Sequence, residues 1–167
     1  MAWSWADSNV EAGVASAAVV TSGVHEITRC ITFETLAADA AGDIKALFRV
    51  GAHEIPLEGW MISDAITGAS DIDVGFYRGD HSVVDKDALA DGLDPSAGIV
   101  FASRLDILSA LGVHERGVLT MYEIANDVDT GDVIGALPND SYVIALPLNS
   151  EISAAATMTV CLRTVTR

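Results

Sequence analysis

The chain has 167 residues, of which 24 are acidic and 9 are basic, so its formal net charge is −15, while half of its residues are hydrophobic. So few basic residues, scattered along an acidic chain, argue against nucleic acid as a partner, because they cannot neutralise a run of phosphates. The mean hydropathy of +0.37 argues against disorder, since disordered acidic chains are poor in Val, Ile and Leu. The length fits one compact domain.

Neither end of the sequence nor its apolar runs suggest a membrane. No stretch approaches the roughly 20 apolar residues that a membrane-spanning helix needs. The segment from Met1 to Asp7 lacks the basic start of a secretory signal, which predicts that the product stays in the cytoplasm where it is made. Residues 1–83 and 84–167 each hold 12 acids, a distribution typical of a solvated surface and not of an acidic tail.

The N-terminal 24 residues are the least determined part of the chain. They are predicted to be an arm or a first strand that is open to contact with a neighbour, and within them residues 11–23 are compatible with a helix, a strand or an arm. From residue 25 to 167, apolar and polar residues alternate in short runs, which is typical of half-buried antiparallel strands. The runs lie near 26–34, 43–51, 55–66, 71–78, 117–125, 141–149 and 154–166, with a weaker one near 98–102.

About eight short strands with polar turns between them predict an all-β fold, a single β-sandwich or jelly-roll domain with one or two short helical turns. A two-turn helix is predicted for Ser103 to Gly112, which has an N-cap serine, apolar residues three apart and a glycine stop. Asp85 to Leu89 is compatible with one further turn. Pro147 has no N–H to donate, so its strand is predicted to lie at a sheet edge or to bulge there.

The residues that could carry chemistry form no strong catalytic pattern. Cys30 and Cys161 lie in predicted strands and are too few for a disulfide framework, so we interpret them as packed free thiols, with a paired or catalytic cysteine as the alternative. The four histidines lack the spacing of zinc ligands, and no nucleophile elbow or glycine-rich phosphate loop is present. We therefore expect no cofactor and no enzymatic activity.

Acidic residues offer two weak candidates. Asp127, Asp129 and Asp132 place carboxylates on either side of a glycine, which is half of the pattern of a calcium-binding loop. Pro138 stands where the closing glutamate of such a loop would be, so a polar turn is the main interpretation. Asp71 and Asp73 alternate along one strand, and we interpret them as acids on its wet face, with an acid/base pair as the alternative.

Tryptophans provide the last candidate. Trp3 and Trp5 stand two apart in an extended segment and therefore project from one face, either to anchor the segment on a neighbouring surface or to pack on the chain's own core. Trp60 alternates with Ile62 and Ile66 and is predicted to be core.

Residues 45–165 resemble a known family: the small all-β virion proteins of tailed bacteriophages, including head decoration (cement) proteins. The resemblance rests on Gly59-Trp60, on the strand Asp71–Tyr77 and on the loop Asp85–Asp94, followed by Met121–Ala125, Tyr142–Leu146 and Thr157–Arg163. It implies a β-sandwich or jelly-roll subunit, commonly a homotrimer, that sits on the outer face of a capsid and reinforces junctions between major capsid subunits. It implies no catalytic residues.

The leading hypothesis is therefore a non-enzymatic capsid decoration protein, assembled in the host cytoplasm and located on the outer face of the virion. Its expected partners are the major capsid protein and sister copies in a trimer. One alternative is a tail or fibre module that binds a host surface glycan. Another is a lyase or glycosidase, which would need two carboxylates converging from different strands.

Overall fold

The structure is a computed structural model that describes residues 2–5, 18–21, 24–37, 39–68, 71–112, 115–127, 141–149 and 151–166. Strands dominate these ranges, which also contain one 3-10 turn, Phe101–Ser103, and one short helix, α1, Met121–Ala125. The strands are β1 (Trp3–Trp5), β2 (Ala18–Thr21), β3 (Val24–Thr35), β4 (Ile44–Gly51), β5 (Glu54–Ser63), β6 (Ile72–Tyr77), β7 (Val83–Leu93), β8 (Leu105–Asp106), β9 (Ser141–Pro147) and β10 (Ala156–Thr166).

The strands form two five-stranded sheets. The first sheet has the order β1-β4-β9-β6-β7 and the second has the order β2-β3-β10-β5-β8. Only β1 and β4 pair in parallel among the described strand pairs; the others are antiparallel. From β3 to β10 the chain passes back and forth between the sheets, and this strand order is that of a jelly roll with β1 and β2 added at the edges. The predicted all-β sandwich is confirmed.

Alternation along the strands fills the space between the sheets. In β6, Ile72, Val74 and Phe76 are fully buried in the main core cluster. In β10, Val160 and Leu162 point into the same core from the second sheet. Burial of these side chains drives the two sheets together, because each removes apolar surface from water. Among the described residues, no helix is long and apolar enough to span a bilayer.

A buried ion pair joins three strands of the second sheet on its inner face. The Arg29 guanidinium donates to both carboxylate oxygens of Glu54 at 2.7 and 2.8 Å. The Thr164 hydroxyl donates to Glu54 at 2.6 Å, and the Gly51 N–H donates to it at 2.8 Å. Every oxygen of this buried carboxylate therefore has a partner, as a charge removed from water requires.

Two predicted element types are wrong. Residues 117–125, predicted as a strand, contain α1, because Thr120 and Glu123 form a capping box that satisfies the first free N–H groups of the helix. The helical turn predicted for Asp85 to Leu89 is instead part of β7, which pairs with β6 through several register shifts. At one of these the backbone of β7 lies so close to Gly75 that a Cβ there would overlap it.

A third predicted element type is also wrong, and two smaller differences accompany it. The two-turn helix predicted for residues 103–112 is wrong: the chain forms the 3-10 turn, the two-residue β8 and a turn, because β8 pairs with β5 at the sheet edge. The weak strand near 98–102 is reduced to a single bridge between Ile99 and Ser63. Pro147 does not mark an edge strand: β9 lies between β4 and β6, and Pro147 is its last residue, where the missing N–H costs least.

Candidate interaction surfaces

The N-terminal strand β1 extends the first sheet beside β4. The Ile44 N–H donates to the Ala2 carbonyl at 2.8 Å, and the Ala2 N–H donates to the Asp43 carboxylate at 2.6 Å. This N–H, and that of Ala40, lower the pKa of Asp43 below its usual value. The segment is thus fixed to its own domain by one hydrogen bond to the Asp43 side chain and one from the Ile44 backbone.

Trp3 packs on the domain that carries it. Its ring lies edge-on to Tyr77 with 5.4 Å between centroids and stacks on His81 at 4.2 Å. Burial raises the pKa of Tyr77 to about 12, as expected for a phenol held in an apolar surrounding. Packing on the chain's own surface, one of the two interpretations of Trp3, is thus present. Contact of Trp3 and Trp5 with a neighbour stays a prediction, and the side chain of Trp5 lies outside the described residues.

Part of the outer face of the first sheet is buried. Five side chains form a second apolar cluster there, with Trp3 packed against it, and each is at most 2% exposed. They are Ile44, Ala46, Tyr77, Val143 and Ala145. An interface with another molecule needs exposed apolar area, so this cluster itself offers none.

Asp73 lies on the same face and is completely buried, so its predicted place on a wet strand face is wrong. Lys86 Nζ and Asn149 Nδ2 each donate to Oδ2 at 2.9 Å, and the Gly92 N–H donates to Oδ1 at 3.1 Å. Burial alone would raise the pKa of Asp73, but these three donors together lower it below its usual value. The carboxylate ties β6 to β7 and to the segment after β9.

Asp71 and Asp91 bring their carboxylates within 4.8 Å of Asp73, a grouping compatible with a cation. Both oxygens of Asp73 already accept hydrogen bonds, however, so the arrangement fits a structural polar network. The alternative of Asp71 and Asp73 as an acid/base pair also loses support, because the donors around Asp73 hold it in the charged form.

A second acidic region lines a cleft of about 160 Å³ beside α1. Its acids are Asp85, Glu115, Glu123 and Asp127. Burial raises the pKa of Asp85, and the neighbouring Asp87 raises it further. Glu123 is engaged in the capping box of α1, which gives it a structural role.

The weak calcium candidate falls mostly outside the described residues. Asp127 is exposed and has a positive φ of 51°, as a turn requires, but Asp129 and Asp132 are not among the residues that the structure describes. The calcium site therefore stays a prediction.

The two cysteines are not free thiols; this prediction is wrong. Cys30 in β3 and Cys161 in β10 are directly opposite in the antiparallel register, with a Cα–Cα distance of 4.1 Å, and they form a disulfide. Cys30 is exposed between two buried neighbours, Arg29 and Ile31, so the bridge lies on the outer face of the second sheet. A cross-strand position makes the pairing possible without moving the backbone.

Trp60 also lies on this outer face, so its prediction as core is wrong. It pairs with Cys161 across the strands, and its neighbour Met61 is the residue that points into the core. The ring of Trp60 meets Phe101 edge-on at 5.5 Å, and Phe101 is 59% exposed. Arg104 lies over both rings, 5.7 and 5.1 Å from their centroids. We call this group, with Val100 and the disulfide, the aromatic patch.

A chain of ion pairs borders the aromatic patch. Arg163 contacts Glu26 at 3.3 Å and Glu58 at 3.4 Å, and Glu58 contacts Arg104 at 2.8 Å. Two acids and two bases therefore cancel on this face of a strongly acidic molecule. The predicted sites did not include this surface, because the exposure of Val100 and Phe101 is visible only in the structure.

The architecture defines the chain as a jelly-roll β-sandwich, with a buried apolar cluster on the outer face of the first sheet and the exposed aromatic patch on that of the second. Two solved structures share this fold. A chain from the capsid of Ralstonia phage GP4 aligns with a TM-score of 0.63 and 15% identity, over 99% of this chain and 99% of that chain. A chain from the capsid asymmetric unit of cyanophage Pam1 aligns with a TM-score of 0.51 and 11% identity, over 91% and 92% of the two chains. No family model and no curated protein matches the sequence.

Proposed function

We propose that this chain is a non-enzymatic structural protein of a tailed-phage virion, and specifically a decoration (cement) protein on the outer surface of the head. The observation that carries the proposal is the likeness to the Ralstonia phage GP4 capsid chain, which covers 99% of each of the two chains. Such a match leaves almost nothing of either chain outside the shared sandwich, so the two are of similar size and architecture.

Charge supports the outer surface of the head. A chain with a net charge of −15 placed inside a filled head would face the phosphates of packaged DNA and be repelled by them. On the outside, the same charge faces solvent and keeps particles apart. The proposed partners are the major capsid protein and sister copies of this chain in a trimer.

The proposed mechanism is association without chemistry. A protein that binds the assembled shell and not the dispersed subunits stabilises the shell by mass action, by about 2.7 kcal/mol per site at a concentration 100 times its Kd. A subunit that bridges two capsid proteins adds the advantage of linked contacts. Trp3 and Trp5 in β1 are the residues that we propose for contact with the shell or with a neighbouring subunit.

The test uses heads of the parent phage from which this subunit has been deleted. Purified chain is added, and co-sedimentation and electron microscopy measure binding and its location. We expect added density on the outer surface and a higher temperature of head rupture. Failure to bind, density on the inner surface, or binding to host glycans in place of heads would contradict the proposal.

The role of β1 is tested with Trp5→Ala in the same assay, with Leu36→Ala as control because Leu36 is an exposed apolar residue remote from β1 in sequence. We expect binding to weaken for the first variant and to persist for the second. Trp3→Ala is less informative, because Trp3 also packs on Tyr77 and its loss affects folding. Equal binding by both variants would exclude β1 from the shell contact.

A further inference from the structure

We propose that the aromatic patch on the second sheet is an interface with a second copy of this chain, in which the patch meets its own counterpart across a two-fold axis. The patch has the composition of an interface centre: Trp60 and Phe101 in edge contact, Arg104 over both rings, and a disulfide beside them. Val100 and Phe101 are 67% and 59% exposed, which leaves their apolar area to be covered by another molecule.

The distribution of charge indicates that a second copy of this chain binds the patch. The ion-pair chain that borders the patch contains Glu26, Glu58, Arg104 and Arg163. Removing these four residues from the 24 acids and 9 bases leaves 22 acids and 7 bases, so the rest of the molecule still carries −15. Two copies therefore repel one another over most of their surfaces, and this locally neutral patch is where they approach at the lowest electrostatic cost.

The alternating signs also make the face self-complementary. A two-fold axis through the patch brings the Glu58 and Arg104 region of one copy opposite the same region of the other, which allows Glu58 of each copy to face Arg104 of its partner. Such a contact differs from the threefold association proposed above for a decoration protein: it closes on two copies and would join one trimer to the next. This inference extends the proposed function, but it is tested on the free protein.

The size of the face predicts a weak contact. Four strands at about 4.8 Å spacing and about seven residues of length give an area on the order of 450 Å² per copy. The total is on the order of 900 Å², at the lower limit for specific interfaces, so we expect a Kd of roughly 10–100 μM. A contact of this strength is populated where many copies are held close together, as on a lattice.

The experiment is sedimentation velocity of the purified full chain from about 5 to 500 μM, a range chosen to span that Kd. We expect the weight-average mass of the wild type to at least double across this range, because a monomer carries one patch and a trimer carries three. Phe101→Glu is expected to weaken the doubling at least about 30-fold, as for an interface hot spot. Val83→Glu is the matched control, since Val83 is 54% exposed on the first sheet and the change in charge is identical.

A second variant and a salt titration test the same contact independently. Val100→Glu should reproduce the effect of Phe101→Glu, and circular dichroism checks that both variants are folded. Raising the salt concentration should strengthen the doubling, because the opposing force is repulsion between acidic copies, which salt screens. No doubling of the wild type, equal loss in Val83→Glu, or weakening by salt would overturn the proposal. So would a Phe101→Glu variant that doubles normally but no longer binds heads, since the face would then belong to the shell.

Discussion

The buried pair of Arg29 and Glu54 allows the sharpest test of the packing described above. Arg29→Met removes the guanidinium and leaves the Glu54 carboxylate in the sandwich with donors only from Thr164 and Gly51. An uncompensated buried charge costs about 3–5 kcal/mol. For a domain of this size, each kcal/mol corresponds to about 2–4 °C in Tm, so we expect the Tm to fall by roughly 6–20 °C.

The double variant Arg29→Met/Glu54→Met separates the cost of the unpaired charge from the worth of the pair. Replacing both partners by apolar side chains removes the charge that had to be paired, and such replacements are often close to neutral. We therefore expect the double variant to recover most of the stability that Arg29→Met loses. Urea melts followed by tryptophan fluorescence, together with calorimetry, give the free energies of unfolding.

Arg163→Met is the matched control, because Arg163 lies on the same sheet but on its exposed outer face, where its ion pairs are solvated. It should cost less than about 1 kcal/mol. The buried charge is not what makes Arg29→Met unstable if this variant loses no more free energy of unfolding than Arg163→Met. The same holds if the double variant loses as much as its two single variants added together.

Three other predictions concern the first sheet and the disulfide. Asp73→Asn should lower the free energy of unfolding by about 2 kcal/mol at pH 7. Because the folded-state pKa lies below the usual 3.8, this stabilisation is complete above 3.8 and is lost as the pH falls through the folded-state pKa, so urea melts of variant and wild type should converge only at a pH below 3.8. Gly75→Ala should cost more than about 2 kcal/mol, because its Cβ overlaps the backbone of β7, whereas Gly51→Ala stays within about 1 kcal/mol; similar thermal melts would contradict this. Protein purified without reductant should show no free thiol when unfolded, and Cys30→Ser/Cys161→Ser should lose about 2–4 kcal/mol yet keep its circular dichroism spectrum, since β3 and β10 pair over 11 residues.

The sandwich was predictable because alternation and burial coincide along its longest strands. In β3 and β10, every second residue enters the core, so the period of the sequence reveals the strand directly. β7 escaped prediction because acids and small residues interrupt its alternation where it bulges across β6. α1 escaped because five residues are too few to establish a helical period, and its capping box was the only local signal.

The surfaces were harder to predict, for a different physical reason. Alternation separates the two faces of a strand but does not say which face is inside. In β5, Gly59 and Met61 point inward, while Trp60, the largest side chain of the three, points outward. Likewise, the pairing of Cys30 with Cys161 depends on the register between two strands 131 residues apart in sequence. Trp3 and Trp5 drew attention as two tryptophans two apart in an extended segment, and their contact with a neighbour stays a prediction, whereas the exposure of Phe101 became visible only once its neighbours were placed.

The position of β10 has a consequence for how the chain folds. β10 follows every other described strand in sequence, yet it lies between β3 and β5 in the second sheet. A nascent chain that has emerged only as far as β9 therefore holds two strands with unpaired edges and no partner between them. Pairings of such high contact order form slowly, and open edges favour aggregation. The second sheet is completed only once β10 has been synthesised, so its central pairings form last, and a variant whose β10 cannot pair would leave an open sheet and not a smaller sandwich.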